Sequence, residues 1–428
     1  MFSQNGLSLD QAPPISVVFR FFFSGSLFGI LSGLLIILFK TTIFDAHSME
    51  AITLTHTLTL GVMLSFMFAA LFQMLPVIAG VTLQSPVQKA NFVQYPFILG
   101  VITLLFAFYV STPLLFGLAS LLLGGSILTI AVIMLKNVIA LPHHSASSRG
   151  ILATLISLLF VILLALYLTG SLAGIFSGTY YTEVKVAHYS FGLFGWIALL
   201  IVSISFQVIE MFYVTPSYPK LVNSYLTLSL FTLLVITSII GLFNPTIWIL
   251  SNLLLAVLLS GYALLTLKRL TQKKRPLIDA TVWFWRMGLS SLILSMVLMA
   301  ISQFKEIAAL QTLSYIFFAS FALSIVFAMF YKIVPFLTWF HLNSQGYFTA
   351  PMMHEVIHPK TAKKHLYIHL ATIVTFVLSI FIPQLIILAG MLTMLSFGWM
   401  TYQIIHAHLL YKKTQETGEK FDMNMGKT

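Results

Sequence analysis

Residues His56 to Gly80 read HTLTLGVMLSFMFAALFQMLPVIAG. This is an apolar run, opened by a histidine, that is long enough to cross a bilayer whose ~30 Å core needs about 20 apolar residues of helix. Its pattern comes back. His56, Gly61, Phe72-Gln73 and Pro76 are echoed by His188, Gly195, Phe206-Gln207 and Glu210, and again by Phe330-Tyr331 and Pro335, where Ser314 and Tyr315 stand in the histidine's place. Copies roughly 125–135 residues apart predict a fold built from repeated multi-helix units.

The rest of the chain agrees with that reading. Of its 428 residues 59% are hydrophobic and 8% charged, and the mean hydropathy is +0.99, a composition suited to lipid. Twelve spans are expected, near 15–39, 52–80, 92–111, 113–136, 149–174, 187–213, 221–242, 246–267, 280–302, 308–337, 364–386 and 387–411. Alternating strand patterns are missing and the runs are too long for a barrel, so the backbone must satisfy itself in helices. The expectation is an all-α polytopic membrane protein, one domain over 1–428, in three pseudo-symmetric four-helix repeats of about 15–136, 149–267 and 280–411. Only the first fourteen residues, the 338–363 connection and the tail after Tyr411 read as soluble, and none is long enough for a domain.

Lysine and arginine set the orientation. With both termini inside, the inner connections carry Lys89, Lys136, Arg149, Lys220, the run Lys268 to Arg275, Lys360, Lys363, Lys364 and the tail from Lys412 to Lys427, against Lys40, Lys185 and Lys305 outside. The net charge of +11 is thereby assigned to an inner interface facing anionic lipid, not to nucleic acid. The chain has no cysteine, which excludes disulfides, thiolate ligands and iron–sulfur chemistry. The first apolar run is long, follows a neutral leader and lacks a small-residue cleavage site, so it reads as helix 1 of a multi-pass protein of a bacterial inner membrane.

Polar residues within such spans are the candidates for function. His56 and His188 recur in the repeated phrase, each a turn or so inside its helix from the outer side. Neutral imidazole ligates haem iron, copper and zinc; a structural histidine would cap its helix start on a neighbouring carbonyl. Arg20 and Arg286, each followed four residues later by serine (Ser24, Ser290), and Arg149 mark the first helix of each unit. They are expected to cap helix ends or reach headgroups. Gln73 and Gln207 are expected to bond between helices, and Glu210 to pair with a cation or relay protons. The 38 Phe and 18 Met read as packing and lipid contact.

A twelve-helix bundle with an outer-side histidine on helix 2 resembles subunit I of the haem-copper oxidases. His56 to Gly80 is similar to that family's helix 2, especially in the cbb3-type branch and the related NnrS-like proteins, and His188 to Pro219 is similar to helix 6. The resemblance implies that His56 holds a low-spin haem and His188 copper. It also implies a role in respiration, nitric-oxide response or cofactor handling, beside other respiratory or assembly subunits. Departures from the family pattern are plain. No histidine lies between Leu310 and Pro335 or within 221–242, and Gly192 stands where the family has a tyrosine. The usual oxygen-reducing centre therefore has no ligand set, no catalytic residue is assigned, and the remaining cofactor is a haem b or a copper ion at His56 and His188.

Two other readings compete. Internal repeats with glycine-broken helices also suit transporters, whose repeats are usually twofold or inverted. Residues His354 to His358 read HEVIH, the zincin pattern in which two histidines on one helical face bind zinc and Glu355 serves as base; Pro351 and Pro359 flank it and oppose a helix there. His341, His354, His358, His365, His369, His406 and His408 gather at the inner ends of helices 10 to 12, where they read as an interfacial surface, or as a metal-loading or pH-responsive patch.

Overall fold

The computed structural model describes residues 13–79, 84–274 and 279–420. The leader before Pro13, Arg275 and the tail beyond Lys420, with Lys427, lie outside the described residues. Within them lie twelve long helices and no strand beyond an isolated bridge between Tyr347 and Lys420. In chain order they are α1 (Ile15–Phe39), α2 (Met49–His56, Thr57–Leu64 and Ser65–Ala79 in sequence), α3 (Pro86–Val110), α4 (Pro113–Ile139), α5 (Ala146–Leu172), α6 (Tyr181–Ser190, Phe191–Ala198 and Leu199–Tyr213), α7 (Lys220–Gly241), α8 (Ile247–Thr271), α9 (Ala280–Ser302), α10 (Ala308–Ser344), α11 (Pro359–Ser379) and α12 (Leu385–Thr417).

Eleven of these are long and apolar enough to cross a membrane. The exception is α11, the expected span at 364–386, which carries Lys360, Lys363, Lys364, His365 and His369. Its buried face is Ala362, His365, His369, Thr372, Thr375 and Ser379, while Tyr367, Leu370, Val374 and Leu378 are exposed. That inverts the amphipathic pattern of a water-soluble helix. The expected soluble connections also shrink, because α10 continues through Ser344 and α12 through Thr417.

Consecutive helices pack side by side, and α12 returns to α1. The closing contact is made by two glycines. A Cβ on Gly390 would lie 2.8 Å from the Gly33 carbonyl oxygen, and one on Gly33 would lie 2.7 Å from that of Gly390, so the backbones touch where any side chain would force them apart. The interior is rich in phenylalanine: Phe21, Phe68, Phe72, Phe97, Phe284, Phe327, Phe330 and Phe397 are fully buried. Phe21 stacks on Phe72 at 5.7 Å, and Phe22 meets Phe330 edge-on at 5.9 Å, which ties α1 to α2 and α10. Buried hydroxyls mostly bond back to their own helices, as Thr57 does to Thr53 O (2.8 Å) and Ser203 to Leu199 O (2.6 Å), which satisfies them without a partner helix. α2 and α6 are the most enclosed spans, with 78% of their apolar windows buried.

Those two helices share a departure from α geometry. Each winds as a π-helix for eight residues, Thr57–Leu64 in α2 and Phe191–Ala198 in α6. Glycine occupies the fifth position of both stretches (Gly61, Gly195), and the Phe-Gln pairs follow at the same distance. Helix α10, which lacks the histidine, is α-helical throughout. Aligned on the π stretches, His56 matches Ser190 and not His188, so the two histidines are two residues out of register and not equivalent as the phrase alone implies.

Candidate cofactor site

His56 ends the first α-helical piece of α2, and His188 lies in the first piece of α6, just before the π stretch. The fold brings their rings together: the centroids are 6.4 Å apart and the planes 14° from parallel. The His56 Nδ1 lies 2.8 Å from Ile52 O, and the His188 Nδ1 lies 3.2 Å from Val161 O on α5. A carbonyl only accepts, so each Nδ1 carries the proton and donates it; in the neutral ring Nε2 is left as a lone pair. Neither Nε2 has a hydrogen-bond partner among the described residues. Fixing one ring nitrogen on a backbone carbonyl is how proteins orient a ligating histidine.

The separation discriminates among ligand geometries. A five-membered ring of ~1.35 Å bonds has its centre about 1.15 Å from each atom, and an imidazole nitrogen binds a first-row metal at about 2.0–2.1 Å. Two nitrogens on opposite sides of one metal thus put the ring centres about 6.4 Å apart, and a tetrahedral angle brings them to about 5.2 Å. The observed centroid separation equals the value an opposed pair would give. The same separation also falls within the range of about 4.5–7 Å of aromatic ring pairs, so ring packing accounts for the pair equally well. Phe108 packs on His56 at 5.1 Å and is itself braced by Phe116. Gly192, a turn beyond His188, has no atom within 4 Å of the position a Cβ would take.

The HEVIH segment does not assemble. Only Met353–Val356 is helical, His358 lies past its end as the cap of α11, and its Nδ1 accepts from the Lys360 N–H (3.1 Å). Glu355 folds back to accept from the Met352 N–H (2.7 Å). The flanking prolines confine the helix to one turn, and the histidines never share a face. No group of three or more potential metal ligands occurs among the described residues.

His365 and His369 also depart from the interfacial reading, since both are buried. His365 joins Tyr331 OH at Nδ1 (2.9 Å) and Ser396 Oγ at Nε2 (2.6 Å), while His369 Nε2 meets Ser324 Oγ (2.9 Å). Phe284 and Phe327 enclose both rings. With its two nitrogens engaged, His365 acts as a three-helix pin among α10, α11 and α12.

The remaining polar candidates have local roles. Arg20 donates to Asn91 Oδ1 on α3, and the Arg286 guanidinium sits 4.9 Å above the Trp283 ring. Glu210 accepts from the Tyr218 N–H (3.2 Å). Gln73 is buried and makes no interhelical bond; its Oε1 has no partner. Sequence reasoning missed Lys332 and Asp279, which pair at 2.5 Å, with Tyr213 reaching Asp279 through Thr281 (2.9 and 2.5 Å). The signal was available: Asp279 is the N-cap of α9, and Lys332 follows the repeated Phe-Tyr.

Fold and composition define an all-helical integral membrane protein with many apolar faces turned outward to lipid. Compared with known proteins, the sequence matches no protein-family model and no curated protein.

Proposed function

We propose that the protein holds one redox cofactor, a haem b, between His56 and His188 in the outer half of a twelve-helix bundle of the haem-copper oxidase subunit I type. The observation that carries this reading is the 6.4 Å separation of two nearly parallel imidazoles, each with Nδ1 bound to a carbonyl. Bound there, a haem supplies one-electron chemistry. His56 and His188 would hold the group, Ile52 and Val161 fix their ring orientations, and Phe108 shields one side of His56. A haem held by both histidines would suit electron transfer or redox sensing and not oxygen reduction. A copper ion that the same two histidines would hold is the second reading, supported by the same ring separation. In this reading α11 is the twelfth span, its polar face turned inward, and the lysine distribution supports both termini on the inner side of a bacterial cell membrane.

The test is a reduced-minus-oxidised visible spectrum of detergent-purified protein, with metal analysis of the same sample. The expected result is a low-spin haem b spectrum that His56→Ala and His188→Ala each convert or abolish. Stoichiometric copper without haem selects the second reading. Protein free of both, from cells supplied with both, refutes the site.

A further inference from the structure

A cleft of about 350 Å³ opens on the lipid-facing side between α9 and α11. α9 contributes Met287 and Leu294, α10 contributes Phe317, and α11 contributes Leu370, Val374 and Leu378. The cleft also meets Ser291, whose hydroxyl is engaged with Ser320 (2.8 Å). An apolar slot of this kind takes a hydrocarbon chain.

Both walls lead to a cation at the same end. The pairs His365–Tyr331 and His369–Ser324 make α11 antiparallel to α10, and Ser291–Ser320 and Ser295–Ser314 make α9 antiparallel to it as well. α9 and α11 are therefore parallel, and their N-termini emerge together. Lys363 is two turns before Leu370 on the same face of α11, and Arg286 is one turn before the cleft-lining Ser290 on α9. No carboxylate among the described residues pairs with either. Lys363 is exposed, and Arg286, the seventh residue of α9, lies against Trp283 beside the cleft-lining Met287. At ~1.5 Å per residue, the cleft runs from about 10 to about 22 Å beyond Lys363. Half of a bilayer of about 40–45 Å, headgroups included, has that depth.

We infer that this cleft is a binding site for an anionic glycerophospholipid, its phosphate between Arg286 and Lys363 and one acyl chain lying against Val374 and Phe317. The site is independent of the cofactor reading. Loss of one cation lowers occupancy roughly fivefold, and loss of both about thirtyfold.

Native mass spectrometry of the detergent-purified chain, titrated with dioleoyl phosphatidylglycerol or dioleoyl phosphatidylcholine, tests it. One phosphatidylglycerol is expected to be retained in clear preference to phosphatidylcholine. The double variant Arg286→Gln/Lys363→Gln should lose that preference, and Val374→Trp, which fills the slot from an exposed position, should exclude the lipid. The control Lys412→Gln/Lys413→Gln, on exposed lysines of α12, should keep it; circular dichroism confirms that each variant is folded. Equal retention of both lipids, or equal loss in the control, overturns the site. Retention by Val374→Trp overturns the acyl seat. A dimer that Val374→Trp breaks shows that a second copy occupies the cleft and overturns the lipid assignment.

Discussion

Replacing His365 with leucine tests whether the buried imidazoles pin the end of the bundle. Leucine fills most of the space against Phe284 and Phe327, so the change removes hydrogen bonds more than volume. It strands Tyr331 OH and Ser396 Oγ, bonded to His365 at 2.9 and 2.6 Å. Each orphaned buried hydroxyl costs about 1–3 kcal/mol. The two do not fare alike. Ser396 can turn to a carbonyl of its own helix, as Thr393 does to Ala389 O (2.8 Å), whereas the phenol of Tyr331 is fixed by its rigid ring. Interhelical hydrogen bonds in membranes measure about 0.6 kcal/mol on average and up to about 1.7, because the unfolded reference also finds partners. The expected loss is therefore about 1–3 kcal/mol, most of it at Tyr331. In His365→Leu/Tyr331→Phe the orphaned hydroxyl is gone, and the two changes should couple by about 1 kcal/mol. Equilibrium unfolding in mixed detergent micelles, following helical signal, measures all three variants. A single variant within about 0.5 kcal/mol of the parent, or strictly additive changes, would show that the buried triad contributes no net stability.

Three further outcomes follow from the same contacts. Gly390→Val places a side chain where 2.8 Å separates Cβ from the Gly33 oxygen; overpacking of this kind costs about 1–3 kcal/mol or more, read as a lower thermal midpoint in detergent, whereas Gly117→Ala, in open space, should leave it unchanged. Although burial alone raises the Asp279 carboxyl's pKa, the Lys332 ammonium and the Thr281 and Val282 donors hold it below the usual value. A carboxyl lowered in the folded state stabilises above its unfolded value near 3.9 and loses that contribution as pH falls through the folded one. The difference in midpoint between the parent and Asp279→Asn should thus be largest near neutrality and close below about pH 4; a pH-independent difference would sink this assignment. His354→Ala, exposed and outside any cap, should leave bound metal unchanged and stability within about 0.5 kcal/mol of the parent.

Helical class was legible because hydropathy acts on whole segments, and lipid imposes one solution on all of them. Single positions were legible only where the chemistry is expensive. His56 and His188 stand out in apolar runs because burying an imidazole needs a reason, and the fold does bring their rings to 6.4 Å of each other. What the letters hid is how they meet. A repeated phrase implies equivalent positions, yet equivalent residues related by a repeat need not touch. His188 stands seven residues before Gly195 and His56 five before Gly61, an offset of two residues or about 200° on an α-helix that the spacing itself carries; the π winding is what no residue type spells out. α11 gives the converse lesson. Its lysines and histidines depress its hydropathy, so a window average counts against it. But Ala362, His365, His369, Thr372, Thr375 and Ser379 fall on one face, and Tyr367, Leu370, Val374 and Leu378 fall on another. In water that pattern would put the apolar face inward. Here the enclosed face is the polar one, because its partners Tyr331, Ser324 and Ser396 sit on neighbouring helices, and hydrocarbon leaves the apolar face free to point out. A histidine pair at i and i+4 beside threonines, opposite a leucine and valine face, is thus a sign of a helix packed among other membrane helices, and it was present in the sequence before any coordinate.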